Sequence, residues 1–76
     1  MSLAMEQIVN GYVRLKDRDA LEKLRADRIR LIAELNRLRS DLSFDSSPAL
    51  RVMAEDLGAI DAGFERLDAS LVQGER

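Results

Sequence analysis

The sequence predicts an all-α fold: an antiparallel two-helix hairpin with a heptad-type seam, which dimerises into a four-helix bundle. Two observations predict the hairpin. Apolar residues recur at steps of three and four in two blocks of equal length, and a short polar segment rich in turn formers separates the blocks. A third observation, the small core that two helices can bury, predicts the pairing of two copies.

The composition limits the kinds of site that the chain can build. Its 76 residues have room for one small domain. There is no cysteine for a disulfide, and no histidine, which is the commonest zinc ligand and the usual general base near neutral pH. We therefore expect a cytoplasmic protein that spans no membrane, is no enzyme and binds no metal ion or cofactor. Met5 offers an alternative start, which would make residues 1–4 foreign to the natural chain.

The first element is an apolar segment, residues 5–18, called the arm below. Asn10-Gly11 between apolar pairs is typical of a β-hairpin turn. The apolar residues of the arm nevertheless share one face of a helix: Met5, Ile8, Val9, Tyr12 and Val13. A two-stranded hairpin without further strands is marginal in water, so the helix is the favoured interpretation and the hairpin is the alternative.

The second element, residues 19–42, is predicted to be the core of the first helix. Its heptad series has one interruption, by a charged residue, and comprises Leu21, Leu24, Arg28, Leu31, Leu35, Leu38 and Leu42. A polar stretch, residues 16–19, separates this series from the arm. Asp19 and Glu22 have the form of a capping box. The sequence therefore allows a break at this stretch, although a continuous helix is favoured.

The third and fourth elements are a loop, residues 43–47, and a second helix, residues 48–72, followed by a tail at 73–76. Ser47-Pro48 is typical of an N-cap followed by proline at the first helical position. The second helix carries an uninterrupted heptad series that comprises Leu50, Met53, Leu57, Ile60, Phe64, Leu67 and Leu71. So short a loop favours antiparallel neighbours.

Matching the two series end to end sets Leu21 against Leu71. In this register Arg28 lies near Phe64, and we expect these two residues to set the register. The guanidinium would stack on the ring or bind an acidic residue beside it. The alternative is that Arg28 extends to solvent at the edge of the seam.

In the predicted register, the second helix ends opposite Leu21 and leaves the arm uncovered. The arm would then project about 24 Å beyond the hairpin. A chain this small, without disulfides or metal, is commonly stabilised by oligomerisation. We therefore expect a homodimer that serves as a helical protein–protein interaction or oligomerisation module, with a regulatory role and an unidentified protein partner left open. Its predicted contact residues are Met5, Ile8, Val9, Tyr12, Val13, Ile29 and Ile32.

Two other functions have weaker support. Between Tyr12 and Arg39 there are nine basic and five acidic residues, so the first helix could serve a nucleic-acid-binding accessory protein. The interspersed acids and the net charge of −2 make this the alternative. Asp61 and Glu65 lie one turn apart and could share a cation, but helical di-metal sites also use histidine. A solvated acidic face that pairs with the basic helix is favoured.

Overall fold

The computed structural model describes residues 3–42 and 45–74, with side chains described as far as Ser70. These residues form three α-helices and no strand: α1 Leu3–Arg14, α2 Arg18–Leu42 and α3 Ser47–Gly74. The all-α prediction is confirmed for the described residues, and so is the helical interpretation of the arm. The chain forms three helices there, however, and not the predicted two.

Parts of the sequence predictions concern positions that the structure leaves undescribed. The segment 1–4, the loop 43–47 and the tail 73–76 are described only in part, and the side chain of Leu71 lies outside the described residues. The contacts of Leu21 are described, and they show which part of α3 lies opposite it.

α1 ends in a tight turn that reverses the chain. The backbone N–H of Asp17 donates to the carbonyl oxygen of Tyr12 at 2.9 Å, and that of Lys16 donates to Val13 at 3.0 Å. These two bonds define a Schellman motif, whose first residue after the helix is left-handed. Lys16 holds that position with a φ of 56°. The helix is therefore interrupted near residues 16–19, and the favoured prediction of a continuous helix is wrong.

We expect Lys16→Gly to raise the free energy of unfolding by about 1 kcal/mol, because glycine has no Cβ to oppose a positive φ. Urea denaturation at fixed protein concentration measures the change. The matched control is Lys23→Gly inside α2, where glycine should lower the same free energy by about 1 kcal/mol. Equal losses in both variants would contradict this account of the turn.

α2 begins directly at this turn. The carboxylate Oδ1 of Asp17 accepts the N–H of Ala20 at 3.1 Å, so Asp17 is the N-cap. The predicted cap, Asp19, instead forms an ion pair with Lys23, one turn further along the helix, at 3.3 Å. The capping-box prediction is wrong because the Schellman turn starts the helix two residues earlier.

The start of α3 is fixed by two residues that precede the predicted cap. The carbonyl oxygen of Ser46 accepts the N–H of Leu50 at 2.9 Å, which makes Ser46 the N-cap. Its buried hydroxyl donates to the carbonyl oxygen of Leu35 in α2 at 3.2 Å. The N–H of Ser47 donates to Asp45 Oδ1, and this hydrogen bond lowers the pKa of the Asp45 carboxyl. The cap therefore lies one residue before Ser47 and also ties α3 to α2.

The register between α2 and α3 differs from the predicted one by about one heptad. Arg28 pairs with Asp56, about two helical turns before Phe64 in the sequence. Leu21 lies against Gly63, and Leu71 is therefore not opposite it. The numbers rise along α2 and fall along α3 in successive ion pairs, so the two helices are antiparallel.

α1 folds back onto the other two helices. Met5 and Val9 are buried in a cluster with Leu21, Ile60 and Leu67. The prediction of a projecting arm is therefore wrong. The turn at Lys16 directs α1 alongside α3, and the glycine at position 63 leaves space there for Val9.

Candidate protein-interaction surface

The buried apolar core occupies one end of the molecule. The five apolar side chains that are buried in the described part of the chain are Met5, Val9, Leu21, Ile60 and Leu67. All of them lie where α1 covers α2 and α3. Tyr12, Val13, Leu24, Ala59 and Phe64 are partly buried and pack around them. We call this part the closed end.

α1 is held at the closed end by shape and by a polar contact. An added Cβ at Gly63 would overlap Val9 Cγ1 and lie 3.4 Å from Val13 Cγ2, so the backbone of α3 approaches α1 closely. One turn along, Arg66 Nη2 donates to Asn10 Oδ1 at 2.6 Å. The apolar face of the arm is thus used within the chain, except for Ile8, which stays exposed.

Ion pairs join the basic α2 to the acidic α3. Arg18 binds Asp68, Arg25 Nε lies 3.0 Å from Asp61 Oδ1, and Arg28 Nε lies 3.1 Å from Asp56 Oδ2. The last pair is the most shielded of the three, since the side chains of Arg28 and Asp56 are 21% and 6% exposed. Arg28 also binds the adjacent Asp27 at 2.9 Å.

The predicted contact between Arg28 and Phe64 is absent. Phe64 is instead covered by Arg18, whose guanidinium carbon lies 5.1 Å from the ring centroid. Arg28 still occupies the seam and binds a carboxylate, as one interpretation of the sequence had it, but the acid is Asp56. The change of partner follows from the shift in register.

The other end of the α2–α3 pair, residues 29–42 and 45–57, is called the open end. Its apolar side chains are exposed or only partly buried: Ile29, Leu31, Ile32, Leu35, Leu38, Leu42, Ala49, Leu50, Val52, Met53 and Leu57. The polar Ser46 and Asp56 are its buried side chains among the described residues. Two packed helices bury less apolar surface than three. At the open end, in the part of the chain that the structure describes, α2 and α3 have only each other as neighbours, so part of each apolar stripe stays exposed.

An apolar face on the open end lies in line with the core that α1 covers. Leu24 of α2 and Ala59 of α3 both pack against the α1-covered core. Residues seven apart share a helix face, so Leu31 continues the Leu24 stripe and Val52 continues the Ala59 stripe. Leu31 is 38% exposed, Val52 is 46% exposed and Leu42, near the end of the groove, is 70% exposed. We call this apolar face, made by the two stripes, the open groove.

Charged residues border the open groove on α2. Arg30, Glu34, Arg37 and Asp41 each directly precede a leucine of the stripe. Arg37 binds Glu34 and lies 3.4 Å from Asp41, while Arg30 lies 2.5 Å from Asp27. The hydrogen bond from Arg37, and then its charge, lower the pKa of the Glu34 carboxyl. All of these are exposed pairs within one helix.

The predicted contact residues differ in how far they are buried. Met5 and Val9 are buried within the chain, and Tyr12 and Val13 pack against the same core. Ile8 and Ile29 are exposed, and Ile32 is partly buried. Ile29 points away from the open groove, because it lies two positions before Leu31 and a helix turns about 200° over two residues.

Sequence reasoning missed the open groove although its signal was present. Leu31, Leu35, Leu38 and Leu42 belong to the predicted heptad series, which places them in a seam inside the hairpin. A two-helix seam shields one side of each stripe and leaves the other side exposed. Val52 falls outside the strict series and is 46% exposed.

No family model matches this chain, and no curated protein or solved structure matches it at a significant level. None of the described helices is both long and apolar enough to cross a membrane. Across residues 3–42 and 45–74, no three acidic side chains gather in a way that could hold a metal ion.

Proposed function

We propose that this protein is a helical protein–protein interaction module that self-associates through its open groove. The observation that carries the proposal is the position of the core: the buried apolar side chains of the described residues lie at the closed end, while Leu31 and Leu42 of α2 and Val52 of α3 stay exposed at the open end. Exposed apolar stripes of this kind commonly mark contact surfaces. Two copies joined at their open ends would form a four-helix bundle.

The shape of the chain supports a second copy as the partner. Its accessible surface is 5372 Å², whereas a compact monomer of 8.6 kDa exposes about 4,700 Å². Its radius of gyration is 14.7 Å, against about 11 Å for a compact domain of this length. The excess surface, roughly 700 Å², is close to the ~800 Å² that each partner buries in a standard protein interface.

The basic residues of α2 give less support to the nucleic-acid alternative. Arg18, Arg25 and Arg28 bind carboxylates of α3, and Arg30 and Arg37 bind carboxylates of α2 itself. A phosphate would have to compete with each of these acids. The three pairs between α2 and α3 therefore favour a role of these arginines in joining the helices.

We expect light scattering at tens of micromolar to give a mass near twice that of the 8.6 kDa chain. Leu31→Glu should lower the mass toward that of one chain, because it places a charge in the stripe that dimerisation would bury. Circular dichroism of both proteins checks that the helices persist.

The matched control is Ile29→Glu, which alters a similarly exposed apolar residue on the opposite side of the same helix. It should leave the dimer intact. A single-chain mass for the natural sequence would overturn the proposal. Loss of the dimer in Ile29→Glu but not in Leu31→Glu would also overturn it, since the contact surface would then lie outside the open groove.

A further inference from the structure

We infer that the second copy binds antiparallel, with the α2 helices of the two copies lying against each other along their open grooves. This inference rests on the proposed function. It specifies which residues of the second copy fill the groove, and it follows from two patterns on the open half of α2.

The apolar stripe has a spacing that reads the same in both directions. Leu31, Leu35, Leu38 and Leu42 are separated by four, three and four residues. An antiparallel copy can therefore set Leu31 beside Leu42 of the second copy, and Leu35 beside its Leu38. All four positions have exposed surface to contribute in the single chain.

The bordering charges have the same spacing but alternate in sign. Arg30, Glu34, Arg37 and Asp41 read plus, minus, plus, minus along the helix. Reversed, the series reads minus, plus, minus, plus. An antiparallel copy thus sets Arg30 beside Asp41 and Glu34 beside Arg37, whereas a parallel copy in the same register sets like charges together.

The two patterns agree in register. Aligning the leucines leaves each opposite-charge pair about 3 Å out of level along the helix axis, which an arginine side chain readily spans. In the single chain, these charges form exposed pairs within α2. Such pairs are weak, so they can be exchanged for, or shared with, pairs across the interface.

A charge-swap experiment tests the arrangement. Glu34→Arg makes position 34 repel Arg37 of the second copy, and Arg37→Glu makes position 37 repel its Glu34. Each variant by itself should dimerise about tenfold more weakly than the natural chain, because two attractive contacts become repulsive. An equimolar mixture should recover the natural affinity, since both contacts between the two variants are attractive.

The mixture separates contacts between chains from those within one chain. Both variants lack the Glu34–Arg37 pair within α2, and mixing cannot restore it. The matched control uses Asp19→Lys and Lys23→Asp. Each of these reverses one charge of an exposed ion pair at the closed end. These variants, separately or mixed, should dimerise like the natural chain. If the mixture of Glu34→Arg and Arg37→Glu dimerises as weakly as either variant alone, the antiparallel arrangement is overturned.

Cross-linking determines the direction independently, because the natural chain has no cysteine. Arg30→Cys and Asp41→Cys should be joined to each other by a short bismaleimide when mixed. Neither should be joined to itself, since in this register two copies of position 30 would lie about 20 Å apart along the axis, and two copies of position 41 about 14 Å apart. Self-linking of Arg30→Cys would indicate a parallel pair and overturn the inference, while a dimeric mass would leave the proposed function standing.

Discussion

Gly63→Ala is expected to lower the free energy of unfolding by about 2 kcal/mol. A Cβ at this position would overlap Val9 Cγ1 and touch Val13, so α1 would have to move away from α3. Val9 is fully buried and its movement would loosen the packing of the core. Urea denaturation at fixed protein concentration measures the loss.

The same substitution at Gly58 is the matched control. An added Cβ there has no atom within 4 Å among the described residues, although Gly58 lies in the same helix. Gly58→Ala should therefore raise the free energy of unfolding by up to about 1 kcal/mol through helix propensity. Amide hydrogen exchange in residues 3–14 should accelerate in Gly63→Ala alone. Equal behaviour of the two variants would mean that α1 does not depend on the space at Gly63.

The helical class could be predicted because it depends on local periodicity. Steps of three and four persist over both blocks, and a strand needs a period of two. Asn10-Gly11 was a contrary local signal. It is overridden in α1 because residues on both sides of it, Val9 and Val13, pack against the same core. Tertiary burial outweighs the cost of two poor helix formers.

The register could not be predicted from the apolar pattern. A heptad series that slides by seven residues against another still sets leucines against leucines, so several registers are equivalent for the seam. Two kinds of contact distinguish them here: the hydroxyl of Ser46 on Leu35, and the ion pairs of α2 with α3. Both kinds of contact depend on individual polar residues, and the apolar periodicity carries no information about those residues.

The position of the interaction surface followed from the position of α1. For a projecting arm, the sequence predicts that the apolar face of the arm is the surface for a partner. The left-handed turn at Lys16 reverses the chain, and a lysine carries no sequence signal for such a turn. Once α1 covers the closed end, the apolar stripe of α2 keeps exposed side chains at the open end, at Leu31 and Leu42, while single apolar side chains such as Leu3, Ile8 and Leu15 stay exposed on or beside α1. The expectation of a partner therefore stays a prediction, but at Leu31 and Leu42 rather than at Met5 and Val9.

Arg28→Met is expected to lower the free energy of unfolding by about 3 kcal/mol, the largest effect among these variants. Methionine matches the stem of arginine but leaves the carboxylate of Asp56 without its cationic partner. Only 6% of the Asp56 side chain is exposed, so water cannot replace the lost interaction. The matched control is Arg25→Met, which removes an ion pair with similar geometry but with both side chains about half exposed. The control should lose less than about 1 kcal/mol.

The double variant Arg28→Met with Asp56→Leu distinguishes stability from register. Because neither charge then remains buried, most of the 3 kcal/mol should return, and a double-mutant cycle gives the coupling between the two residues. If the ion pair also selects the register, the stable double variant should populate two registers one heptad apart and show doubled amide signals in its NMR spectrum. A single set of sharp signals would show that Ser46 and the packing of α1 hold the register without it. If Arg28→Met and Arg25→Met lose similarly small free energies of unfolding, then water reaches Asp56. The Arg28–Asp56 pair would then not select the register of the seam.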